Sequence, residues 1–208
     1  MADLTGGTGP HSGRPIARAG APLTVARAVL ILLHGRGGSG ADMLGLAGHV
    51  AGPEIACLAP QASGDTWYPY RFTEPVARNE PYLSSALSVV GDLVDRLAGS
   101  GLAAERIGLL GFSQGACLAL EFAVRRAERL GAVIGLSGGL IGETVSPPAA
   151  LGRPLGGMPV LLGCSEHDPH IPIGRVRETD EVMRALGGEV VTRIYPGGSH
   201  GINEDEAG

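Results

Sequence analysis

Short, continuously apolar runs recur along the chain, and each is followed by glycine or polar residues. Such runs are typical of parallel β-strands that are covered on both faces, because every side chain of such a strand meets a core. The last run alternates more between apolar and polar positions. The predicted strands are AVLILLHG (28–35), EIACLAP (54–60), RIGLLGFS (106–113), GAVIGLSGG (131–139), MPVLLGCSE (158–166) and EVVTRIYPG (189–197).

Helical periodicity falls between these runs. The segment 84–101 places leucine and valine side chains on one stripe and ends in glycine, as an amphipathic helix does. Strand and helix alternation predicts an α/β fold with a mostly parallel central sheet and helices on both faces. The other predicted helices are 39–51, 115–131 and 178–189.

Three segments do not follow this alternation. Residues 61–82 predict a long loop that holds the only tryptophan and three of the four tyrosines, and long loops are often functional. Residues 140–157 are rich in glycine and proline and predict a surface excursion. Residues 1–20 predict a flexible N-terminal arm. The remainder, 21–208, shows no linker or repeat and predicts a single domain without a large cap domain.

Composition and charge exclude several classes of function. With 16 basic against 21 acidic residues, a net charge of −5 and no basic run, the chain carries no nucleic-acid footprint. The apolar run Ala28–Leu33 is too short to cross a bilayer. The first twenty residues lack the apolar region of a signal peptide. We therefore expect no nucleic-acid partner, no stable membrane insertion and a cytoplasmic location.

The three cysteines, Cys57, Cys117 and Cys164, are widely spaced and include no C-x-x-C pair. We expect reduced, mostly buried thiols. None has the spacing of metal ligands, so the sequence predicts neither a metal nor a cofactor.

The motif GFSQG (111–115) lies where a predicted strand gives way to a predicted helix. The pattern G-x-S-x-G gains meaning in this context, because the glycines allow a tight, strained turn that exposes the serine hydroxyl. The following backbone N–H groups then lie at a helix N-terminus and can face a developing negative charge. Ser113 is therefore the candidate nucleophile, and a structural turn that happens to use serine is the alternative.

A serine nucleophile needs a base and an acid that orients the base. In one known chain order the serine comes first, then the acid, then a histidine after the last strand. Of the six histidines, only His200 in YPGGSHGI fits both conditions well. Asp168 follows a predicted strand in a turn that Pro169 stiffens, and it is the candidate acid. Glu166 is the alternative.

Two backbone N–H groups are candidates for an oxyanion hole. Gln114 follows the nucleophile directly, and Arg36 lies in the glycine-rich segment LLHGRGG after an early strand. A phosphate-binding loop is the alternative for HGRGG, but the segment lacks both glycine-rich nucleotide-binding patterns.

Six segments, taken together and in order, resemble the phospholipase/carboxylesterase family of α/β-hydrolases, which includes acyl-protein thioesterases and small bacterial carboxylesterases. They are LLHGRGG, PQASGDTWYPY, GFSQGACLALEFA, LSGGL, GCSEHDPHIP and YPGGSHGI. The resemblance implies an α/β-hydrolase fold, a triad of Ser113, Asp168 and His200, and oxyanion donors at Arg36 and Gln114. It also implies a metal-free enzyme that acts on short to medium acyl esters.

The chain departs from this family at two places. Arg36 stands where many relatives have leucine, and it adds a charge to the entrance of the site. Only INEDEAG follows Gly201, where the family usually has a closing helix, and so short a segment does not form a stable packed helix. We expect either a less covered sheet face or a second chain that covers it, as in a homodimer.

The segment TWYPYRF (66–72) is the most aromatic of the chain, and by the resemblance it lies near the acyl site. Trp67 and Tyr68 are predicted to wall an apolar pocket, and Arg71 to meet a substrate carboxylate. A loop anchored by its own aromatic side chains is the alternative. With little room for a cap domain, we expect a shallow, open cleft.

The sequence therefore predicts a serine carboxylesterase with a small-molecule ester as its substrate. An acyl thioesterase or a lysophospholipase would use the same site. A dienelactone hydrolase normally has a cysteine nucleophile, and Cys117 lies one turn beyond Ser113. A hydrolase-fold binding protein without turnover is the alternative from another class, because a loosened histidine loop would misplace His200.

Overall fold

The computed structural model describes residues 7–146 and 152–207. Within these ranges the backbone forms one seven-stranded sheet and five α-helices. The strands are β1 (Ile16–Gly20), β2 (Ala28–Leu33), β3 (Ile55–Pro60), β4 (Ile107–Phe112), β5 (Ala132–Leu136), β6 (Pro159–Ser165) and β7 (Glu189–Tyr195). The helices are α1 (Gly40–Val50), α2 (Tyr82–Gly99), α3 (Gln114–Arg126), α4 (Ile173–Ala185) and α5 (Glu204–Ala207). The expectation of no packed helix after Gly201 is corrected by the four-residue α5, where the Asp205 carboxylate accepts hydrogen bonds from Arg193 and Tyr195 of β7.

The strand order is β1-β3-β2-β4-β5-β6-β7, and every neighbouring pair is parallel except β1 with β3. The predicted α/β class with a mostly parallel sheet is confirmed. The carboxyl ends of β2 to β7 lie along one edge, where loops carry function in such sheets. The segments after β2, β4, β6 and β7 contain Arg36, Ser113, Asp168 and His200 respectively.

Helices cover both faces of the sheet, as predicted. Side chains along a strand point alternately to opposite faces. In β2, Ile31 and Leu33 belong to the larger core, which α2, α3 and α4 also line. Leu32 belongs to a smaller core with Met43 of α1. A strand that meets a core on each face needs apolar residues at every position, and this explains the continuous apolar runs.

The prediction of a flexible arm is wrong for residues 16–20, because they form β1 at the edge of the sheet. Ile16 lies opposite Pro60 and Gly20 opposite Ala56 in an antiparallel ladder with β3. The pattern missed this strand because its side chains are half-buried or exposed, so the strand is held by backbone pairing more than by apolar burial. Residues 1–6 of the predicted arm lie outside the described residues.

Two helices differ from their predicted bounds at points where the backbone conformation changes. Helix α3 ends at Arg126 because Ala127 adopts a left-handed conformation with φ 51°. Helix α4 begins at Ile173, directly after Pro172, and so precedes the predicted start at 178. It ends before Gly187, which has φ 93°.

The predicted surface excursion 140–157 is buried at both ends. Leu140, Ile141 and Leu155 all lie in the larger core, and residues 147–151 are outside the described residues. In the described part of the chain, no inserted domain covers the carboxyl edge of the sheet, and no helix is long and apolar enough to cross a membrane.

The long loop between β3 and α2 is anchored by its tryptophan. Trp67 is fully buried, and its indole N–H donates a hydrogen bond to the carbonyl oxygen of His34 at 2.9 Å. Its ring lies between two imidazoles, with ring centroids 5.5 Å from His11 and 5.0 Å from His34. The loop is therefore fixed against the end of β2 and against the segment that precedes β1.

Both of these histidines are buried and neutral. In His11, Nε2–H donates to the Trp67 carbonyl at 2.9 Å while Nδ1 accepts from the Ser63 amide at 3.0 Å. In His34, Nδ1–H donates to the Gly35 carbonyl at 2.7 Å while Nε2 accepts from the Ala62 amide at 3.1 Å. Each ring thus uses one nitrogen as donor and one as acceptor, which only neutral imidazole does.

Burial lowers the pKa of both imidazoles below their ordinary value of 6.5, although hydrogen bonds to backbone carbonyls partly oppose it. Protonation would place a hydrogen on the accepting nitrogen, opposite a backbone N–H. The loop that Trp67 anchors is therefore held by bonds that exist only with uncharged histidines.

The turn from β4 into α3 requires two of its glycines. A side chain at Gly115 would collide with the carbonyl oxygen of Leu33, and one at Gly111 would collide with the backbone of Gly115. The first turn of α3 thus lies directly on the end of β2. Glycine is needed here for close approach of backbones, because neither residue has a positive φ.

We expect Gly115→Ala to lower the free energy of unfolding by about 2 kcal/mol or more, because the added methyl group would meet rigid backbone. Gly45→Ala in α1 is the matched control, since open space surrounds that position. It should raise the free energy of unfolding by about 0.5 to 1 kcal/mol. Denaturant unfolding of both variants measures this, and equal stability of Gly115→Ala and the native chain would contradict the close approach.

The free energy of unfolding should fall on acidification from about pH 7 to about pH 5. His11 and His34 take up protons near 6.5 in the unfolded chain but only at lower pH in the folded chain, so the unfolded state binds more protons in this window. Denaturant unfolding at both pH values measures the slope of the free energy of unfolding against pH. It should be shallower in His11→Gln and unchanged in His49→Gln, whose imidazole is exposed. Equal slopes in His11→Gln and the native chain would refute the assignment.

Candidate active site

Ser113 joins β4 to α3 in a strained backbone conformation. It has φ 53° and ψ −117°, and non-glycine residues rarely adopt a positive φ. The conformation is held on both sides, because the Ser113 amide donates to the Leu136 carbonyl at 2.9 Å and its carbonyl accepts from the Cys117 amide at 3.0 Å. The hydroxyl consequently projects from the sheet edge at the start of a helix.

The structure brings Ser113, His200 and Asp168 into one chain of hydrogen bonds. Ser113 Oγ lies 2.8 Å from His200 Nε2, and His200 Nδ1 lies 2.7 Å from Asp168 Oδ2. The Asp168 side chain is fully buried, and that of His200 is 18% exposed. Glu166, the alternative acid, is 58% exposed and lies beside His167 instead.

The Asp168 carboxylate is held in its ionised form. Its other oxygen, Oδ1, accepts hydrogen bonds from the amides of His170 at 2.8 Å and Ile171 at 3.0 Å. Burial alone would raise the pKa of Asp168, but the hydrogen bonds from His200 and from these amides outweigh it and keep the pKa below its ordinary value. An ionised Asp168 accepts a hydrogen bond from the Nδ1–H group of His200, which leaves Nε2 unprotonated and able to accept a proton from Ser113.

The two predicted oxyanion donors lie beside Ser113. Gln114 is the first residue of α3, where backbone N–H groups have no partner within the helix. The turn that carries Arg36 is fixed by the Gly38 amide on the Gly35 carbonyl at 3.1 Å and by the Gly37 amide on the Asp65 carbonyl at 2.7 Å. The Arg36 amide has no acceptor in the described part of the chain. Both amides are therefore available to a ligand.

The side chains of Gln114 and Arg36 hold the aromatic loop, a role that the sequence did not reveal. Gln114 Oε1 accepts from the Trp67 amide and Nε2 donates to the Tyr68 carbonyl, both at 2.8 Å. The Arg36 guanidinium donates to the three carbonyl oxygens of residues 68–70 at 2.9 to 3.0 Å. Only long-range contacts show this, because the partners lie more than thirty residues away in sequence.

A cleft with a volume of about 350 Å³ opens at Ser113 and is called the cleft from here on. Tyr68 and Arg71 line it, whereas Trp67, which was also predicted to wall it, does not. The Trp67 ring lies between His11 and His34 instead. The full set of lining residues is Arg36, Tyr68, Tyr70, Arg71, Phe72, Ser113, Gln114, Cys117, His170, Ile171 and His200.

Several lining residues were not singled out from the sequence. His170 and Ile171 lie two and three residues after Asp168 in HDPHIP, and Phe72 closes the aromatic segment, so their proximity to predicted site residues was a usable signal. The His170 ring meets the His200 ring edge-on, with centroids 4.7 Å apart. His200 is therefore packed on one side by a residue from the acid loop.

Cys117 is buried and lines the cleft, and all three cysteines are free and buried, as expected. Burial raises the pKa of Cys117 to about 11. Thiols react as thiolates, so a protonated Cys117 is poorly suited to be a nucleophile. Ser113 has a base within hydrogen-bond distance.

Comparison with known proteins identifies the family. Residues 16–207 match the model of the phospholipase/carboxylesterase family. A crystal structure of a phospholipase/carboxylesterase from Dyadobacter fermentans is similar, with a TM-score of 0.89 and 38% identity over 97% of this chain and 95% of that one.

Two acyl-protein thioesterases are also similar in sequence. That of Gibberella zeae is 32% identical over 55% of this chain, and the match spans only 49% of that protein. That of Schizosaccharomyces pombe is 24% identical over 88% of each chain. The resemblance seen in the sequence is thus confirmed over nearly the whole described chain, and the protein, with its α/β-hydrolase fold, belongs to the phospholipase/carboxylesterase family.

Proposed function

We propose that this chain is a serine carboxylesterase that hydrolyses short- to medium-chain acyl esters. The observation that carries the proposal is the unbroken hydrogen-bond chain from Ser113 Oγ through His200 to the buried Asp168, with Ser113 and His200 lining an open cleft. A base 2.8 Å from a serine hydroxyl can accept its proton during attack on a carbonyl carbon.

In the first half-reaction, Ser113 Oγ forms a bond to the ester carbonyl carbon while its proton passes to His200 Nε2. The carbonyl oxygen gains negative charge and accepts hydrogen bonds from the amides of Arg36 and Gln114. Asp168 stabilises the imidazolium. The bond from the carbonyl carbon to the alcohol oxygen then breaks, and His200 returns the proton to that oxygen.

In the second half-reaction, water replaces the alcohol. His200 Nε2 takes a proton from the water, whose oxygen attacks the acyl carbon. The bond to Ser113 Oγ breaks and the serine regains its proton. One ester and one water thus give one acid and one alcohol, with Ser113 and His200 restored.

The dimensions of the cleft support short acyl groups. A volume of about 350 Å³ is near the small end of ligand sites in proteins. Tyr68, Phe72 and Ile171 give it apolar walls. Long acyl chains would extend beyond the cleft into solvent.

An acyl thioesterase is the second candidate, and the two related acyl-protein thioesterases favour it. The same residues would act, with a thiol as the leaving group. The 2.8 Å contact between Ser113 and His200 disfavours a binding protein without turnover, and the raised pKa of Cys117 disfavours a dienelactone hydrolase with a cysteine nucleophile. A cytoplasmic location and a homodimer stay predictions.

Ser113→Ala should abolish ester hydrolysis, with a loss of at least about 10⁴-fold in kcat, because no other group forms the acyl-enzyme. The measurement is the release of p-nitrophenol from the acetate, butyrate, octanoate and palmitate esters. We expect the native chain to prefer the shorter esters. Ser84→Ala, at an exposed position on α2, is the control and should keep native rates.

A fluorophosphonate probe separates the proposed nucleophile from other serines. We expect one adduct, on Ser113, located by peptide mass spectrometry, and none in Ser113→Ala. Absence of an adduct on a chain with native circular dichroism would contradict the proposal, as would hydrolysis by Ser113→Ala at the native rate.

A further inference from the structure

Arg71 lies at the rim of the cleft with its backbone fixed and its side chain free. Its carbonyl accepts hydrogen bonds from Asn79 Nδ2 at 3.3 Å and from the Glu74 amide at 3.1 Å. The side chain is exposed, and within the described residues its guanidinium forms no ion pair or hydrogen bond. A guanidinium without a partner, on a backbone fixed at a ligand site, is available to an anion.

The acidic side chains nearest to Arg71 in sequence have other partners. The Glu74 carboxylate forms an ion pair with Arg78 at 2.8 Å. Asp65 Oδ1 accepts a hydrogen bond from the side-chain amide of Gln61 at 2.8 Å. Arg71 is therefore not neutralised by its own loop.

The cleft itself contains no acidic side chain among its lining residues, although the whole chain has a net charge of −5. The Asp168 carboxylate lies behind His200 and is fully buried. Arg36 adds a second positive charge at the cleft, even though its guanidinium is bonded to backbone carbonyls. An anionic ligand would thus be attracted by the arginine at the rim, and no carboxylate among the lining residues would repel it.

Apolar side chains form part of the cleft that Ser113 and Arg71 both line. Phe72 is 6% exposed and Ile171 is 3% exposed, and both line the cleft together with Tyr68. A ligand that complements the cleft would therefore place a reactive carbonyl at Ser113, a short apolar segment against the apolar side chains and an anionic group at Arg71.

We propose that the cleft selects esters that carry a carboxylate remote from the reacting carbonyl, and that Arg71 binds this carboxylate. The inference rests on the proposed esterase function and adds its substrate class. A guanidinium binds a carboxylate with two parallel hydrogen bonds, which favours this anion at an arginine. The carboxylate belongs either to the acyl group, as in a half-ester of a dicarboxylic acid, or to the alcohol.

Matched pairs of esters test the preference and distinguish these two sources. Monomethyl glutarate against methyl valerate places the carboxylate on the acyl side. The butyryl ester of 3-hydroxypropanoate against propyl butyrate places it on the alcohol side. A pH-stat measures kcat/KM for each. We expect the charged ester to exceed its neutral partner by about fivefold in at least one pair, the scale of a partly exposed charge-assisted contact.

Variants assign the preference to Arg71. Arg71→Gln should bring the charged-to-neutral ratio of kcat/KM to about one or below, mainly through the KM of the charged ester. Arg27→Gln is the control, because that exposed arginine pairs with Glu54 outside the cleft. It should keep the native ratio. The native ratio should also fall when the salt concentration rises from about 20 mM to about 0.5 M, because salt screens exposed charges.

The outcomes separate this inference from the proposed function. Hydrolysis of neutral esters with no preference for a carboxylate in either pair would overturn the inference and leave the esterase proposal standing. A preference that survives in Arg71→Gln would also overturn it. If the folded native chain hydrolyses no ester and takes up no fluorophosphonate, the proposed function fails, and the inference fails with it.

Discussion

The backbone of Gly115, in the first turn of α3, lies against the carbonyl oxygen of Leu33 at the end of β2, and no side chain fits between them. This approach lets α3 begin directly after β4, with Ser113 at φ 53° between the two elements. It also brings the loop after β2 beside the start of α3, so that Arg36, Ser113 and Gln114 line one cleft. The cleft depends on a contact between two backbones.

The walls of the cleft are held by polar contacts to the backbone as well as by apolar packing. Gln114 and Arg36 use their side chains to fix the loop that carries Tyr68, while their amides stay available to a ligand. His11 and His34 fix the same loop from its buried side around Trp67. Because buried polar groups are costly when unpaired, these bonds define a single loop conformation. The loop therefore holds Tyr68 and the backbone of Arg71 in a fixed position at the cleft.

Charge is distributed unevenly between the cleft and the rest of the protein. The surface carries a net negative charge, whereas the residues that line the cleft include two arginines and no acid. The buried Asp168 carboxylate accepts hydrogen bonds from His200 and from two backbone amides, which stabilise its negative charge away from the cleft. A cleft of this kind favours ligands that complement both its apolar walls and its cationic rim.

Most of the fold, and most of the residues proposed for catalysis, could be predicted from the sequence because their signals are local. Five continuous apolar runs and one more alternating run predicted six of the seven described strands, and the turn chemistry of GFSQG pointed to Ser113 without knowledge of any distant contact. His200 followed from its place after the last strand.

Only the tertiary structure decided features that depend on distant partners. Strand β1 has few buried side chains and exists because β3 offers it a backbone to pair with. Glu166 and Asp168 lie two residues apart in one turn, and the direction of each carboxylate relative to His200 separated them. Trp67 and Tyr68 are adjacent and both buried, yet the Trp67 ring lies between His11 and His34 and donates to the His34 carbonyl, whereas Tyr68 lines the cleft. Sequence patterns indicate which residues favour burial or a turn. The direction in which a side chain points is fixed by contacts that only the folded chain supplies.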